Sequence, residues 1–240
     1  MQAEAETLKP ARGEILIGGL VSADSHTVEP PECYRDFIDP KYRDDAPYLV
    51  HDEKMGDCYV IKGFKERISV PQVASAGMDL ASRDKSRMWA GQRFHDLNRG
   101  GWDPVARLAD QDRDGVACEI LYPTIGMVLC GLSDPDYKNA CMWAYNRWLE
   151  SYCSAAPDRL VGLGQTAVRS VKETIEDLRR FKEMGFKGAV LPGDPATVED
   201  YDDPVFDPLW EAAVELDMPL SFHILTGGQR NQHDSLRTMK

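Results

Sequence analysis

A regular alternation of helical and apolar strand-like segments constrains the fold of this chain most strongly. Helical patterns cover residues 104–113, 136–156, 170–185 and 207–216, and apolar runs cover 15–21, 117–122, 160–167, 186–191 and 218–224. Ser170 and Glu173 form a capping-box pattern, and Pro208 stands in the first turn of the last helix. Strands that are joined through helices pair in parallel with right-handed crossovers, so this order predicts a parallel α/β sheet.

Two folds are built from such units, a doubly wound open sheet and a (β/α)8 barrel. A dinucleotide-binding open sheet needs Gly-x-Gly-x-x-Gly between a strand and a helix. The one comparable stretch, Gly162-Leu163-Gly164, lies inside a strand, lacks the third glycine and leads to no helix start. The barrel is favoured because polar residues stand at the C-terminal ends of several strands, where barrel enzymes keep their catalytic groups. These residues are Asp24, His26, Tyr122 and His223.

Three of these residues predict a divalent-metal site. Asp24 and His26 stand two apart after the first apolar run, so on an extended strand their side chains share a face. His223 follows the last apolar run, and carboxylate and imidazole groups are common metal ligands. The simpler alternative is that each is a structural residue at a strand end. Glu29 has two open interpretations, a carboxylate that orients a ligand imidazole or a cap in the turn before Pro30.

Residues 30–103 are rich in Pro, Gly, Asp and Arg and show little periodicity. Long excursions of this kind are commonly functional, and in a barrel this one would fold over the active-site face. Tyr122 is predicted to contact substrate at the mouth of the pocket, with core packing as the alternative. Five residues of the excursion could also reach a substrate, although solvent exposure is the simpler interpretation: His51, His95, Arg83, Arg87 and Arg93.

The charge balance excludes several classes of partner. The formal net charge is −12, with 40 acidic and 28 basic residues, which argues against binding nucleic acid or anionic membranes. The first residues lack the basic and apolar parts of a secretory signal, and no apolar stretch approaches the roughly 20 residues that span a bilayer. The six cysteines include no Cys-x-x-Cys and are interpreted as reduced structural thiols. We therefore expect a cytoplasmic protein with a small-molecule substrate and no nucleic-acid or membrane partner. A homo-oligomer is an open alternative.

Five stretches carry a family resemblance: DSHTVEPP (24–31), GGWDPVARLADQDRDGVACEILYPT (100–124), YNRWLESYCSAAPDRLVGLG (145–164), GFKGAVLPG (185–193) and YDDPVFDPLWEAAVELDMPLSFHILTG (201–227). In order and spacing they resemble the amidohydrolase-related family that includes aminocarboxymuconate-semialdehyde decarboxylase and the resorcylate-type decarboxylases. The resemblance extends over most of residues 20–228.

The resemblance implies a metal-dependent (β/α)8 barrel. In this family an acid-or-His-x-His motif on the first strand, a histidine on the fifth and an aspartate on the eighth hold one divalent metal. Asp24 and His26 match the first-strand pair, and His223 matches the fifth-strand histidine. Some relatives have His-x-His, and a carboxylate in place of an imidazole hardens the site, so we expect zinc with manganese, magnesium or iron as alternatives. The eighth-strand aspartate has no counterpart, nor has a further histidine after the fifth strand, and no strand pattern brings His233 inward.

About five strands are predicted, so we expect a flexible leader at 1–13 and the N-terminal part of a truncated barrel at 14–240. The resemblance implies a non-oxidative decarboxylase of a small carboxylated aromatic or unsaturated acid. The same ligands would serve a hydrolase of an ester, lactone or amide. A third interpretation is an incomplete, non-catalytic fragment, and we expect the chain that ends at Lys240 to be inactive by itself.

Overall fold

The computed structural model describes residues 19–77 and 89–227. Its main sheet has five parallel strands in the order β1 (Leu20–His26), β5 (Val116–Tyr122), β6 (Leu160–Gln165), β7 (Gly188–Leu191) and β8 (Leu220–Phe222). A second, antiparallel sheet contains β2 (Tyr48–Asp52), β3 (Gly56–Val60) and β4 (Ile68–Ser69). The leader 1–13 lies outside the described residues.

Helices separate the parallel strands, as the alternating pattern predicted. The α-helices are α1 (Pro31–Phe37), α2 (Val70–Val73), α3 (Pro104–Asp114), α4 (Ile125–Leu129), α5 (Pro135–Cys153), α6 (Val171–Glu183) and α7 (Asp207–Glu215). Short 3-10 turns lie at Pro40–Asp45, Phe94–Asp96, Arg99–Gly101 and Pro204–Phe206. Helices α3, α5, α6 and α7 each return the chain to the start of the next parallel strand. The fold is therefore a half-barrel of the (β/α)8 type.

Side-chain caps fix where the helices begin. Oδ1 of Asp103 accepts the main-chain N–H groups of Val105 and Ala106 at 3.0 and 3.2 Å, which caps α3. The Ser170 hydroxyl accepts the N–H of Glu173 at 3.2 Å, as the capping-box pattern predicted. These bonds satisfy donors that a helix start otherwise leaves unpaired.

The glycines of β6 serve helix packing. A Cβ atom on Gly162 would lie 2.9 Å from a methyl carbon of Leu149 on α5, and one on Gly164 would lie 2.6 Å from the ring of Phe181 on α6. Larger residues would push both helices off the sheet. The Gly-x-Gly spacing in this strand therefore reflects close packing, in agreement with the rejection of a dinucleotide site.

The apolar run 15–21 that predicted the first strand lies partly outside the described residues. Within them, β1 covers Leu20–His26, so Asp24 and His26 lie within the strand rather than beyond it. Leu20 and Val21 are 63% and 49% exposed, so apolar character does not mark this outer strand. Its register with β5 shifts between Ser22 and Ser25, which places one additional residue of β1 in a β-bulge just before the polar tip.

The excursion contains more regular structure than its composition predicted. It holds α1, α2 and the small antiparallel sheet, and it docks on α5. The Tyr137 hydroxyl donates to the main-chain oxygen of Asp45 at 2.6 Å, and Arg147 donates to that of Phe37 at 2.7 Å. Within the described ranges, none of the helices combines the length and apolar character that crossing a bilayer requires.

Candidate metal centre

Asp24, His26 and His223 lie together at the C-terminal end of the parallel sheet. Each offers one ligand atom, and these atoms all lie within 4.8 Å of one another. Oδ1 of Asp24 is 3.3 Å from Nε2 of His26 and 3.3 Å from Nε2 of His223. Strand β1 and the segment after β8 belong to opposite edges of the sheet, so the barrel curl brings them together.

Main-chain carbonyl groups orient both imidazoles. Nδ1 of His26 lies 2.8 Å from the oxygen of Pro123, and Nδ1 of His223 lies 2.8 Å from the oxygen of Ile224. A carbonyl oxygen only accepts, so Nδ1 carries the proton in both rings and Nε2 of a neutral ring presents a lone pair. Burial lowers the pKa of His26, against the opposing effect of the Pro123 carbonyl. The lower pKa favours the neutral ring.

The donor set fits a divalent cation. With Nδ1 protonated, two imidazole lone pairs and one carboxylate oxygen face each other, and a cation between them would satisfy all three. Two nitrogens and one oxygen form a set that zinc, manganese and iron accept. Asp24 is 67% exposed at its side chain, so the position is open to solvent and to a ligand.

A buried ion pair fixes the main chain that carries His26. Arg107 on α3 donates from Nε and Nη2 to Glu119 on β5 at 2.6 and 2.9 Å, and from Nη1 to the main-chain oxygen of His26 at 3.0 Å. Ser25 and Gln111 also donate to Glu119, at 3.0 and 2.6 Å. The helix side of the sheet therefore holds the end of β1 while His26 projects to the other side.

Glu29 caps the turn that follows β5. Its carboxylate accepts the main-chain N–H groups of Thr124, Ile125 and Gly126 at 3.2, 3.0 and 2.8 Å. Burial raises the pKa of Glu29, and these N–H groups oppose the rise. The bonds of this carboxylate go to main-chain donors of the turn after β5 and to the Tyr34 hydroxyl. The cap therefore lies on a different turn from the one before Pro30 that the sequence suggested, and within the described part of the chain Glu29 makes no direct bond to an imidazole.

Tyr122 packs against both histidines. Its ring centroid lies 5.8 Å from that of His26 and 5.1 Å from that of His223. Its hydroxyl is 2.7 Å from Oγ of Ser221 on β8. Tyr122 therefore lines the same interior as the cluster and links two strands across it.

The other candidates lie elsewhere. Nδ1 of His51 pairs with Asp57 at 2.7 Å, and Arg93 lies 3.6 Å from the same carboxylate. His95 packs on the rings of Phe94 and Trp102. Neither histidine belongs to the cluster. Arg83, Arg87 and His233 lie outside the described residues.

Sequence reasoning missed the groups that hold the ligands. The Pro123 and Ile224 partners are main-chain atoms, which leave no signature in residue type. Glu119, in contrast, could have been recognised from the sequence, because a charged residue inside the apolar run 117–122 indicates a buried ion pair.

The curled parallel sheet, with polar side chains at its C-terminal edge, places the chain in the class of (β/α)8-barrel proteins. The chain belongs to the amidohydrolase family, whose sequence profile matches residues 80–237, more than half of the chain. This confirms the family that the five stretches predicted.

Individual relatives agree with this assignment. The chain is 25% identical over 134 residues to 2-amino-3-carboxymuconate-6-semialdehyde decarboxylase of Dictyostelium discoideum, which covers 55% of this chain and 37% of that protein. The structure of an amidohydrolase from Mycobacterium avium subsp. paratuberculosis matches with a TM-score of 0.68 and 18% identity, over 94% of this chain and 63% of that one.

A 5-carboxyvanillate decarboxylase from Novosphingobium aromaticivorans, solved with bound manganese, matches with a TM-score of 0.55 and 22% identity. That match covers 92% of this chain and 56% of the other. The chain thus spans just over a third of the curated relative and less than two thirds of either solved chain.

Proposed function

We propose that the protein binds one divalent metal through Asp24, His26 and His223 and serves as a non-oxidative decarboxylase of a small carboxylated aromatic or unsaturated acid. The observation that carries the metal site is the convergence of two Nε2 atoms on Oδ1 of Asp24, with both Nδ1 atoms on carbonyl groups. The names of two relatives, both decarboxylases of carboxylated substrates, support the choice of reaction.

The donor set allows zinc, which we expected first, and manganese. Zinc accepts mixed imidazole and carboxylate ligands, and a carboxylate ligand also suits the harder manganese ion. The related carboxyvanillate decarboxylase was solved with manganese. We propose to test both metals.

When bound, the metal would supply a Lewis acid toward the oxygens of a carboxylated substrate. His26 and His223 would hold it through Nε2, and the Asp24 carboxylate would contribute one negative charge. Tyr122, whose ring contacts both imidazoles, would form the adjacent wall and contact the substrate. Its hydrogen bond to Ser221 would keep that wall in place.

We also propose that residues 14–240 form the N-terminal part of a (β/α)8 barrel and that the excursion 30–103 covers its active-site face. Helix α5 begins at the C-terminal edge of the sheet, because it follows the end of β5 through α4. Tyr137 in its first turn bonds the main chain of Asp45, which brings the excursion to that edge.

Hydrolysis of an ester, lactone or amide is the second candidate, favoured by the name of the family that residues 80–237 match. A single set of assays separates the two reactions. Two metal-loaded proteins are compared, residues 1–240 alone and the same residues extended by the remaining strand–helix repeats of the barrel. Each is incubated with hydroxylated benzoates, including 5-carboxyvanillate, and with aryl esters and lactones, and carbon dioxide release and carbonyl hydrolysis are both measured. We expect activity from the extended protein and none from residues 1–240 alone. Metal-dependent release of carbon dioxide supports the proposal, and hydrolysis alone overturns it. The His223→Ala variant serves as the inactive control.

A further inference from the structure

We infer that Glu29 is a positioning residue for His26: its carboxylate fixes the Pro123–Thr124 peptide, whose carbonyl group holds Nδ1 of His26. The inference rests on the proposed function for the role of Nε2 as a metal ligand. It starts from a buried carboxylate that the proposed chemistry does not use.

The connection passes through one peptide plane. The carbonyl of Pro123 and the N–H of Thr124 belong to the same planar unit, and in a trans peptide they point in opposite directions. The N–H bonds the Glu29 carboxylate at 3.2 Å, and the carbonyl oxygen lies 2.8 Å from Nδ1 of His26. Glu29 therefore fixes the orientation of this peptide plane through the Thr124 N–H, and the same orientation determines where the Pro123 oxygen meets Nδ1 of His26.

This third hydrogen bond goes beyond capping a helix. The N–H groups of Ile125 and Gly126 belong to the first turn of α4, and bonding them is ordinary capping. The N–H of Thr124 precedes that turn. Pro123, which follows β5, has no N–H that Glu29 could bind. The Thr124 N–H is therefore the first donor after the strand, and its peptide joins the strand end to the capped turn.

Glu29 is itself held in place. It is fully buried, the Tyr34 hydroxyl approaches Oε1 at 3.4 Å, and the Tyr59 hydroxyl donates to its main-chain oxygen at 2.9 Å. A second link joins the two segments, because the Thr124 hydroxyl donates to the main-chain oxygen of Thr27 at 2.5 Å. One segment of chain thus supplies His26 and, three residues later, the carboxylate that fixes the partner of its ring.

The principal test compares Glu29→Gln with the wild type. Glutamine keeps the shape, but it loses one acceptor and turns N–H groups toward main-chain donors. Asp177→Asn is the matched control, since it removes another buried carboxylate, which bonds Thr166 directly after β6, two strands away from β1. Glu29→Asp is made in parallel. Aspartate keeps the charge but is too short to reach all three N–H groups. If thermal unfolding shows that Glu29→Gln does not fold, Glu29→Asp is compared with the wild type instead.

Two readouts are taken. Long-range 1H–15N spectra of the metal-free protein, assigned with His26→Ala, show which imidazole nitrogen of His26 carries the proton. Calorimetric titration with Mn²⁺ gives the dissociation constant. We expect Nδ1 to carry the proton in the wild type and in Asp177→Asn, and a mixture of tautomers in the Glu29 variants. We expect Glu29→Gln to bind Mn²⁺ about 10- to 100-fold more weakly, the usual effect of losing an outer partner of a ligand.

The outcomes separate the two proposals. A folded Glu29 variant with the wild-type tautomer and wild-type Mn²⁺ affinity would overturn the positioning role and leave the metal site intact. A wild-type protein with the His26 proton on Nε2 would also overturn it. If the wild type binds neither Mn²⁺ nor, in a second titration, Zn²⁺, the proposed function fails, while the tautomer spectra still decide the role of Glu29.

Discussion

The hydroxyl of Tyr122 and Oγ of Ser221 lie 2.7 Å apart, although β5 and β8 are separated by two strands of the sheet. Such a bond is possible only because the sheet curls, so that side chains from distant strands meet inside. The bond lies beside His26 and His223, whose rings contact the Tyr122 ring. A polar contact inside the sheet therefore fixes the curvature that brings Asp24, His26 and His223 together in the candidate metal centre.

We predict that Tyr122→Phe and Ser221→Ala each lower the free energy of unfolding by about 1 kcal/mol, the usual net value of a hydrogen bond. The double variant should lose less free energy of unfolding than the two single variants added together, because either change alone removes the same hydrogen bond. Chemical denaturation of the four proteins gives the coupling energy. Strict additivity would show that the two hydroxyls do not interact in solution.

His26→Ala and His223→Ala should each lose the bound metal. Removing one of three ligands opens the site to water and weakens metal binding steeply. Elemental analysis after dialysis measures the metal content of each protein. His51→Ala is the control, because its imidazole pairs with Asp57 away from the cluster, and it should retain the wild-type content. A full equivalent of metal in both ligand variants would place the metal elsewhere.

Arg107→Met should destabilise the protein by about 3 to 5 kcal/mol, because it leaves the carboxylate of Glu119 buried without its partner. Arg113→Ala is the comparison. Arg113 is exposed and pairs with Asp110 and Asp114, so its loss should lower the free energy of unfolding far less. Thermal or urea unfolding measures both. Equal effects would mean that burial of the Arg107 pair contributes little.

Asp177 should make stability depend on pH. Burial raises the pKa of the Asp177 carboxyl from its ordinary value of 3.8 to about 6. Between these values the folded protein binds more protons than the unfolded chain, so stability falls as pH rises. Wild type should therefore lose about 1 to 3 kcal/mol more than Asp177→Asn between pH 4 and 7. Asparagine can still accept the hydrogen bond from Thr166. Parallel pH curves from urea unfolding would contradict the raised pKa.

Much of the parallel sheet could be predicted from the sequence, because its helices carry local signals. Asp103 and Ser170 cap helices where the patterns placed them. The first strand continues to His26, past the end of the apolar run that predicted it, because the residues at its tip are polar. The antiparallel sheet of the excursion was missed, because strands of two to five residues give too short a pattern to recognise.

The candidate ligands could also be found from the sequence, because Asp24, His26 and His223 are chemically distinctive and stand at strand ends. Their close approach is now a structural observation, and their role in metal binding stays a proposal. What orients them could not be found in the same way. The role of Glu29 depends on where the turn after β5 lies in space, and no spacing along the chain encodes that position.

The use of main-chain carbonyl groups as partners of both imidazoles has a consequence for mutational tolerance. Every side chain that position 224 accepts brings the same carbonyl oxygen, so exchanging Ile224 leaves the partner of His223 in place. The same holds at Pro123 as long as the turn keeps its shape. Substitutions at positions 123 and 224 can therefore accumulate without changing how the rings of His26 and His223 are oriented. Selection would fall instead on distant residues, such as Glu29, that determine the path of the backbone.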